Sequence, residues 1–110
     1  MAQKHVFPLF LDAAAQLVIS AGALPVTTSL VRVSPASGDV SYTVPDGTIP
    51  GQMIVIINEA SGNDANITFT TPMVAAADVV ALDNTREQVT AMWNGTGWVI
   101  IGGLAPTTVS

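Results

Sequence analysis

Residues 88–101, with the sequence QVTAMWNGTGWVII, decide the fold class. Every second residue from Val89 to Trp93 is apolar, and this period of two is typical of a β-strand with one buried face. The dipeptide Asn94-Gly95 follows, which favours a tight hairpin turn because both residue types tolerate a positive φ. A second apolar run begins at Trp98. The stretch therefore predicts an antiparallel β-hairpin with a tryptophan on each side of its turn.

Further strand patterns precede this hairpin. Residues 40–44 alternate between apolar and polar side chains and end at Pro45-Asp46-Gly47, a triplet typical of a turn. Residues 53–57 form a continuous apolar run, which is typical of a strand covered on both faces. Residues 65–69 alternate again, and we expect them to pair with residues 53–57 as a hairpin with a longer loop. Residues 79–82 add a shorter apolar run.

About six short strands spaced by roughly ten residues predict an all-β domain, either a sandwich or a barrel. This predicted body covers residues 25–103. Residues 1–24 are apolar and broken by Pro8, so we expect an extended N-terminal arm that packs on another surface; a disordered terminus is the alternative. One or two helical turns over residues 12–17 are a further alternative within it. Residues 104–110 are expected to form a short C-terminal tail.

Charged residues are scarce in this chain. They make up 10% of the 110 residues, whereas 49% are hydrophobic, and a typical soluble domain has about 25% charged residues. A solvated monomer covers much of its surface with charged side chains. The composition therefore favours assembly with other subunits that bury additional surface. The alternative is a monomer whose surface is covered by Ser and Thr.

The net charge of −5 limits the classes of partner. Lys4, Arg32 and Arg86 are the only basic residues besides one histidine, and nucleic-acid binding depends on clustered basic side chains that release counterions. Anionic membrane surfaces are disfavoured for the same reason, and no apolar run reaches the roughly 18 residues of a transmembrane helix. The N-terminal apolar stretch contains Pro8 and Asp12 and makes a poor signal peptide. We therefore expect neither nucleic acid nor a membrane as a partner.

Residue types that carry out chemistry are few. The chain has no cysteine, and His5 is the only histidine, so neither a thiolate or histidine metal site nor a Ser-His-Asp set is expected. Most of the eight acids lie at predicted turns, where Asp bonds to local backbone. Asn58-Glu59 with Asn63-Asp64 is the nearest approach to a calcium loop, and a solvated turn is the better interpretation. We expect no enzyme activity, no cofactor and no small-molecule substrate.

The two tryptophans beside the Asn-Gly turn are candidates for a specific contact. Trp93 and Trp98 are expected to be cross-strand partners that pack in the core or against another subunit. Stacking on a sugar or a base is the functional alternative, which we consider weaker because aromatic pairs around tight hairpins commonly stabilise the hairpin itself.

Four segments together resemble a recurrent module of tailed-bacteriophage virions. They are SYTVPDG at residues 41–47, PGQMIVIIN at 50–58, ANITF at 65–69 and VTAMWNGTGWVIIG at 89–102. The most specific features are the PGQ segment that leads through an apolar strand to Asn58, and the Trp-Asn-Gly-Thr-Gly-Trp hairpin. The chain is similar to the small decoration (cement) proteins of capsids and to related head- or tail-fibre modules.

The resemblance implies an antiparallel β-sandwich or a jelly-roll-like body. It also implies a structural protein that is made in the host cytoplasm and located on the capsid exterior of the virion. It would bind there as a homotrimer and stabilise the shell, with copies of itself and the major capsid protein as partners. A head-fibre, tail-fibre or baseplate module that contacts a host or a glycan is the alternative. The chain has no heptads and no shaft-like repeat, which favours the cement function.

The N-terminal arm is suited to strand addition to a neighbouring subunit because it is apolar and extended. We therefore predict an interface made by apolar residues of the arm and by the hairpin tryptophans. These residues are Val6, Phe7, Leu9, Phe10, Leu11, Leu17, Val18, Trp93 and Trp98.

Overall fold

The computed structural model describes residues 18, 20–26, 29–36, 38–60, 62–72, 79–83, 87–104 and 107–109. These residues form strands and no helix, so the predicted all-β class is confirmed for them. The strands are β1 (Gly22–Ala23), β2 (Leu30–Val33), β3 (Val40–Val44), β4 (Met53–Asn58), β5 (Ala65–Phe69), β6 (Val79–Leu82), β7 (Gln88–Trp93), β8 (Trp98–Leu104) and β9 (Thr107–Val109).

The strands form two sheets of mixed direction. One sheet has four strands in the order β2-β4-β7-β8, and the other has five in the order β1-β3-β5-β6-β9. The first five strands alternate between the two sheets. Within each sheet, the next of these strands runs in the same direction as the one before it, so β1–β3, β3–β5 and β2–β4 pair in parallel. The other four pairs are antiparallel. The expectation of a purely antiparallel fold is therefore wrong, because a strand of the opposite sheet serves as the crossover connection that parallel pairing needs.

The hairpin predicted between residues 53–57 and 65–69 does not form, because β4 and β5 lie in different sheets. The chain leaves β4 at Asn58, whose side chain is fully buried. Its Nδ2 donates to the carbonyls of Asn63 (3.1 Å) and Leu82 (2.8 Å), and its Oδ1 accepts from the N–H of Ala60 (2.9 Å). These bonds hold the turn that carries the chain from one sheet to the other.

The predicted hairpin at residues 88–101 is confirmed. β7 and β8 pair antiparallel with Trp93 opposite Trp98. In the four-residue connection, the Oδ1 of Asn94 accepts from the N–H groups of Thr96 and Gly97, both at 2.9 Å. Gly95 has a φ of 101°, a conformation that glycine adopts at little steric cost. The Asn-Gly pair therefore acts as the sequence suggests, with the asparagine side chain closing the turn.

A single buried cluster takes side chains from both sheets. Along β3, β4, β5 and β7 every second residue is buried, as the period of a strand requires. Burial of one such aliphatic side chain contributes about 1.5–3 kcal/mol, so this cluster is the main source of stability. Its members are Leu24, Val31, Val33, Tyr42, Val44, Ile54, Ile56, Ala65, Ile67, Phe69, Val80, Leu82, Val89, Ala91, Trp93 and Trp98.

The C-terminal end of the predicted arm lies on this body. Gly22–Ala23 pairs with β3, and Leu24 is 2% exposed within the core. Val18 makes an isolated parallel bridge with β2. Residues 1–17, which include the alternative helical turns, lie outside the described residues, as does residue 19.

Part of the predicted C-terminal tail also pairs with the body. Thr107–Val109 forms β9 and runs antiparallel to β6, with Thr108 opposite Val80. It is the last strand in the order of the five-stranded sheet. The strand pairing therefore extends beyond residue 103, the predicted limit of the body.

Candidate interaction surfaces

The two tryptophans of the predicted interface are buried inside the domain. Trp93 is 7% exposed and Trp98 is 2% exposed. Their ring centroids lie 5.5 Å apart in an edge-on arrangement, and the Trp98 ring lies 6.1 Å from that of Phe69 in the other sheet. Edge-on aromatic pairs add about 0.5–1.5 kcal/mol beyond the area that they bury. The tryptophans thus join the two sheets, which favours packing over stacking on a sugar.

Contacts from the β3–β4 turn fix the positions of both tryptophan rings. The Nε1 of Trp98 donates to the carbonyl of Pro45 at 2.9 Å, so the buried indole has a partner. The ring of Trp93 lies directly on the backbone of Gly47, where a Cβ would overlap it. The triplet at residues 45–47 therefore acts as a packing surface as well as a turn, a role that its sequence alone did not indicate.

Gln52, of the PGQ segment, joins three parts of the chain. Its Nε2 donates to the carbonyl of Val26 at 2.5 Å, and its Oε1 accepts from the N–H of Thr48 at 2.8 Å. Its backbone carbonyl accepts from the N–H of Trp93 at 2.7 Å. Gln52, Asn58 and Asn94 belong to the segments that carry the resemblance most specifically, and all three side chains make contacts within the domain.

Val18 is the one arm residue of the predicted interface that the structure describes. Its N–H donates to the carbonyl of Arg32 at 2.9 Å, and its carbonyl accepts from the N–H of Ser34 at 2.8 Å and from the hydroxyl of Tyr42 at 3.2 Å. Burial raises the pKa of Tyr42, which keeps its phenol protonated as a donor. The remaining arm residues lie outside the described part of the chain; they are Val6, Phe7, Leu9, Phe10, Leu11 and Leu17.

The four-stranded sheet presents apolar side chains on the surface opposite the core. On β4, Met53, Val55 and Ile57 alternate with buried neighbours and are exposed or half-buried. The pairing register sets Met92 beside Met53 and Leu30 beside Val55, and it also sets Thr90, Gln88 and Arg32 on this side of the sheet. Ile101 of β8 is 51% exposed near the irregularity in the β7–β8 pair. We call this the outer apolar surface; it comprises Leu30, Met53, Val55, Ile57, Met92, Val99 and Ile101.

The sequence contained a signal for this surface. The unbroken apolar run at residues 53–57 predicts a strand covered on both faces, and in the structure the core covers only Ile54 and Ile56. Leu30 and Met92 also stand next to apolar residues in the sequence, but these shorter runs do not show which residues share the outer side. Only the register of the sheet sets these residues beside one another.

The outer surface of the five-stranded sheet is polar along β3 and β5, whereas the register sets Val79 and Ala81 of β6 on the same side. Its outward positions on β3 are Ser41 and Thr43, and those on β5 are Asn66 and Thr68. These small hydroxyl and amide side chains can form hydrogen bonds with water, and none of them is charged. The two sheets thus share a core and differ in what they present to their surroundings.

Charges lie at the margins of both sheets. Beside the outer apolar surface, the Nε of Arg32 lies 3.6 Å from an Oε of Glu59, an exposed pair that contributes about 0–1 kcal/mol. Asp39, Asp64 and Asp83 lie at one end of the five-stranded sheet because they flank the paired ends of β3, β5 and β6. This end is therefore acidic.

The electrostatics of the acidic end centre on Asp64. Partial burial raises the pKa of its carboxyl group, and the charges of Asp39, Asp83 and Glu87 raise it further. The backbone N–H of Asp64 donates to Asp39 Oδ1 at 3.0 Å, and the Nδ2 of Asn63 donates to the carbonyl of Pro35 at 2.9 Å. These local bonds agree with the interpretation of residues 58–64 as a turn.

The described residues contain no group of three or more His, Asp or Glu side chains placed to hold a metal ion. Within the same part of the chain, no helix has the length and apolar character needed to cross a bilayer. Comparison of the chain with protein-family models and with curated proteins finds no significant match.

Proposed function

We propose that this chain is a virion structural protein, a capsid decoration (cement) protein that binds the capsid exterior as a homotrimer and stabilises the shell. The observation that carries the proposal is the outer apolar surface in a chain with only 10% charged residues. Contiguous exposed apolar surface of this kind is typical of a protein–protein contact. The resemblance of residues 38–103 to decoration modules supports the same proposal.

The fold suits this function. We interpret the two sheets as a β-sandwich of jelly-roll-like character, since residues of both sheets share one buried cluster, and residues 1–24 as an extended arm. A decoration protein needs a rigid body that presents surfaces. The hydrogen bonds of Gln52, Asn58 and Asn94 provide such rigidity, since they fix the turns between strands.

The arm is the proposed contact with the major capsid protein. Its apolar residues between Val6 and Leu11 precede Val18, whose backbone already bonds to β2. An apolar extended segment that continues from a sheet edge is suited to adding a strand to a neighbouring subunit. The arm would therefore anchor each copy to the shell while the body contacts other copies.

Symmetry would make such contacts effective. Several weak contacts made at once by a trimer raise the overall affinity well above that of one contact. The scarcity of charge lowers the desolvation cost of covering these surfaces. The burial of Trp93 and Trp98 leaves no indole platform at this hairpin for a glycan, which speaks against the tryptophan-based version of the fibre or baseplate alternative.

Cryo-electron microscopy of intact particles of the virus that encodes the chain tests the proposal. We expect density for the protein outside the shell at three-fold positions, and particles lacking the protein should lose their contents at a lower temperature. Density confined to the tail or to a single vertex would overturn the cement function.

The arm has its own test. Deletion of residues 1–17 keeps Val18 and Leu24, so the body should remain folded while decoration of particles lacking the protein is lost. A full-length variant with Phe7→Ser, Phe10→Ser and Leu11→Ser keeps the length of the arm and removes its apolar area. It should also fail to bind, which would show that apolar character and not length is required. Full decoration by either variant would show that the arm is not the capsid contact.

A further inference from the structure

We propose that the outer apolar surface is the place where one copy of this chain binds another copy. This assigns the self-association within the proposed function to a particular surface, and it rests on that part of the proposal. The N-terminal arm then remains the proposed contact with the capsid protein. The surface is the one defined above, on β2, β4, β7 and β8.

The residues of this surface are not part of the domain's own core. The half-buried apolar residues that pack against the core are Val18, Val26, Val40 and Ile100. By contrast, Met53 is 41% exposed and Ile101 is 51% exposed, and Val55 alternates with the buried Ile54 and Ile56. The surface therefore remains uncovered by the described part of the chain.

The size of the surface is at the lower limit for a specific contact between copies. Four strands at about 4.8 Å spacing and about six residues each give a flat area of roughly 20 by 20 Å. Side-chain relief enlarges this area, so two copies would bury about 1,000 Å² in total, close to the lower limit of roughly 1,200 Å² for specific interfaces. The edge of β8 lies beside the surface and adds to it.

The distribution of charge favours a second copy as the occupant. Two copies that each carry a net charge of −5 repel one another unless they meet where acids are absent. Glu59 at the margin is paired with Arg32, and Asp39 and Asp64 lie at the end of the other sheet. Contact through the outer apolar surface thus keeps the described carboxylates largely away from the interface.

The edge of β8 supports the same assignment. β8 is the terminal strand of its sheet, and its seven residues, WVIIGGL, include no charge and no proline. Among the described residues, only the bridge between Pro72 and Trp98 covers its free side. Native proteins usually protect long apolar edges with charges, proline or a covering segment. A neighbouring copy would provide that cover here.

Light scattering on the purified full-length chain provides the first test. We expect wild type to have about three times the chain mass of 11.3 kDa, as the proposed homotrimer requires. The double variant Met53→Glu/Ile101→Glu should be monomeric at concentrations where wild type is assembled, with at least about a 100-fold weaker association because carboxylates would be buried in an apolar contact. Thr43→Glu sets a carboxylate on an exposed strand position of the other sheet, and it should leave the mass unchanged. Circular dichroism should show native β-structure in both variants.

Cysteine cross-linking provides a second test that does not depend on weakening the fold. Since the chain has no cysteine, Val55→Cys introduces a single thiol at the middle of the surface. Oxidation should link copies within the trimer through it, because a residue at the middle of the surface lies close to the three-fold axis, where the same side chain of each copy meets. Thr43→Cys on the other sheet should give no dimer at the same protein concentration.

The outcomes separate this inference from the proposed function. Two results together would overturn the inference: the Met53→Glu/Ile101→Glu variant remains assembled, and the separate Val55→Cys variant gives no cross-linked dimer. Neither result bears on capsid binding. A monomeric wild type that assembles only after deletion of residues 1–17 would show that the chain's own arm covers the surface, and would overturn it too. A monomeric wild type whose double variant no longer binds particles would assign the surface to the capsid protein. An assembled wild type that never decorates particles would remove the proposed function alone.

Discussion

The outer surfaces of the two sheets differ although the sheets share one core. The four-stranded sheet presents Met53, Val55 and Met92, whereas the five-stranded sheet presents Ser41 and Thr43. Inside the domain both sheets follow the same rule, with alternate side chains buried in a common cluster. The difference teaches that apolar character has two purposes here. One set of apolar residues stabilises the fold, and the other is the set that we propose for assembly.

The largest expected effect comes from removing the contact that joins the inner faces of the two sheets. Trp98→Ala should lower the free energy of unfolding by about 3–5 kcal/mol, because it leaves a cavity beside Trp93 and Phe69. Denaturant unfolding measures this, in the Met53→Glu/Ile101→Glu background so that association does not contribute. Trp98→Phe keeps an aromatic ring but leaves the Pro45 carbonyl without its donor, and it should cost less. A loss below about 1 kcal/mol for the alanine variant would contradict the role of Trp98 in the core.

A smaller effect compares the inner and outer positions directly. Val44→Thr buries a hydroxyl at a position with 0% exposure and should cost about 1–3 kcal/mol of stability. Val55→Thr makes the same chemical change on the outer apolar surface, and in the monomeric background it should cost less than about 0.5 kcal/mol. Urea unfolding of both variants provides the measurement. Equal losses would mean that Val55 also packs within the domain, and the comparison between the two surfaces would break down.

The smallest expected effect concerns the acidic end of the five-stranded sheet. The folded state raises the pKa of Asp64 above its ordinary value of 3.8, so the folded chain holds this proton more tightly than the unfolded chain does. Stability from this group is therefore present at low pH and is lost as pH rises through the raised pKa. Asp64→Asn should give a small rise in Tm at pH 7 that disappears as the pH falls towards 3.8.

Thermal unfolding between pH 4 and pH 7 checks this prediction. Asp46→Asn is the control, because the carboxylate of Asp46 accepts a hydrogen bond from the hydroxyl of Thr71 at 2.6 Å and its replacement should give no gain at pH 7. A difference between Asp64→Asn and wild type that stays constant with pH would show that the ionisation of Asp64 is not the cause.

Local patterns predicted the strands well and their pairing less well. The alternation in β3, β5 and β7, and the turn at Asn94-Gly95, all correspond to observed elements. The predicted pairing of β4 with β5 was wrong, because the local patterns of residues 53–57 and 65–69 do not determine whether the two strands lie in one sheet. The deciding contact is the bond from Asn58 to the carbonyl of Leu82, which spans 24 residues of sequence. Such long-range bonds leave no periodic signal.

The candidate site was predicted only in part. Trp93 and Trp98 were predicted to pack in the core or against another subunit and were included in the interface, and the structure buries both in the core of the domain. Leu30, Met92 and Val99 were not recognised, because each stands next to a buried apolar residue in the sequence and only the register shows that they share the outer side of the sheet. The arm residues from Val6 to Leu17 lie outside the described part of the chain, so their role in the capsid contact stays a prediction.

The sequence by itself determined the all-β class, the positions of the main strands and the hairpin between the tryptophans. These depend on the period-two alternation and on the φ preferences of residues such as Asn94 and Gly95, which are local properties. Only the tertiary structure decided that the chain alternates between two sheets, and which apolar residues face outward. The physical reason is that Ile54 and Val55 are equally apolar along the chain, and they differ only in which side of the sheet meets the core.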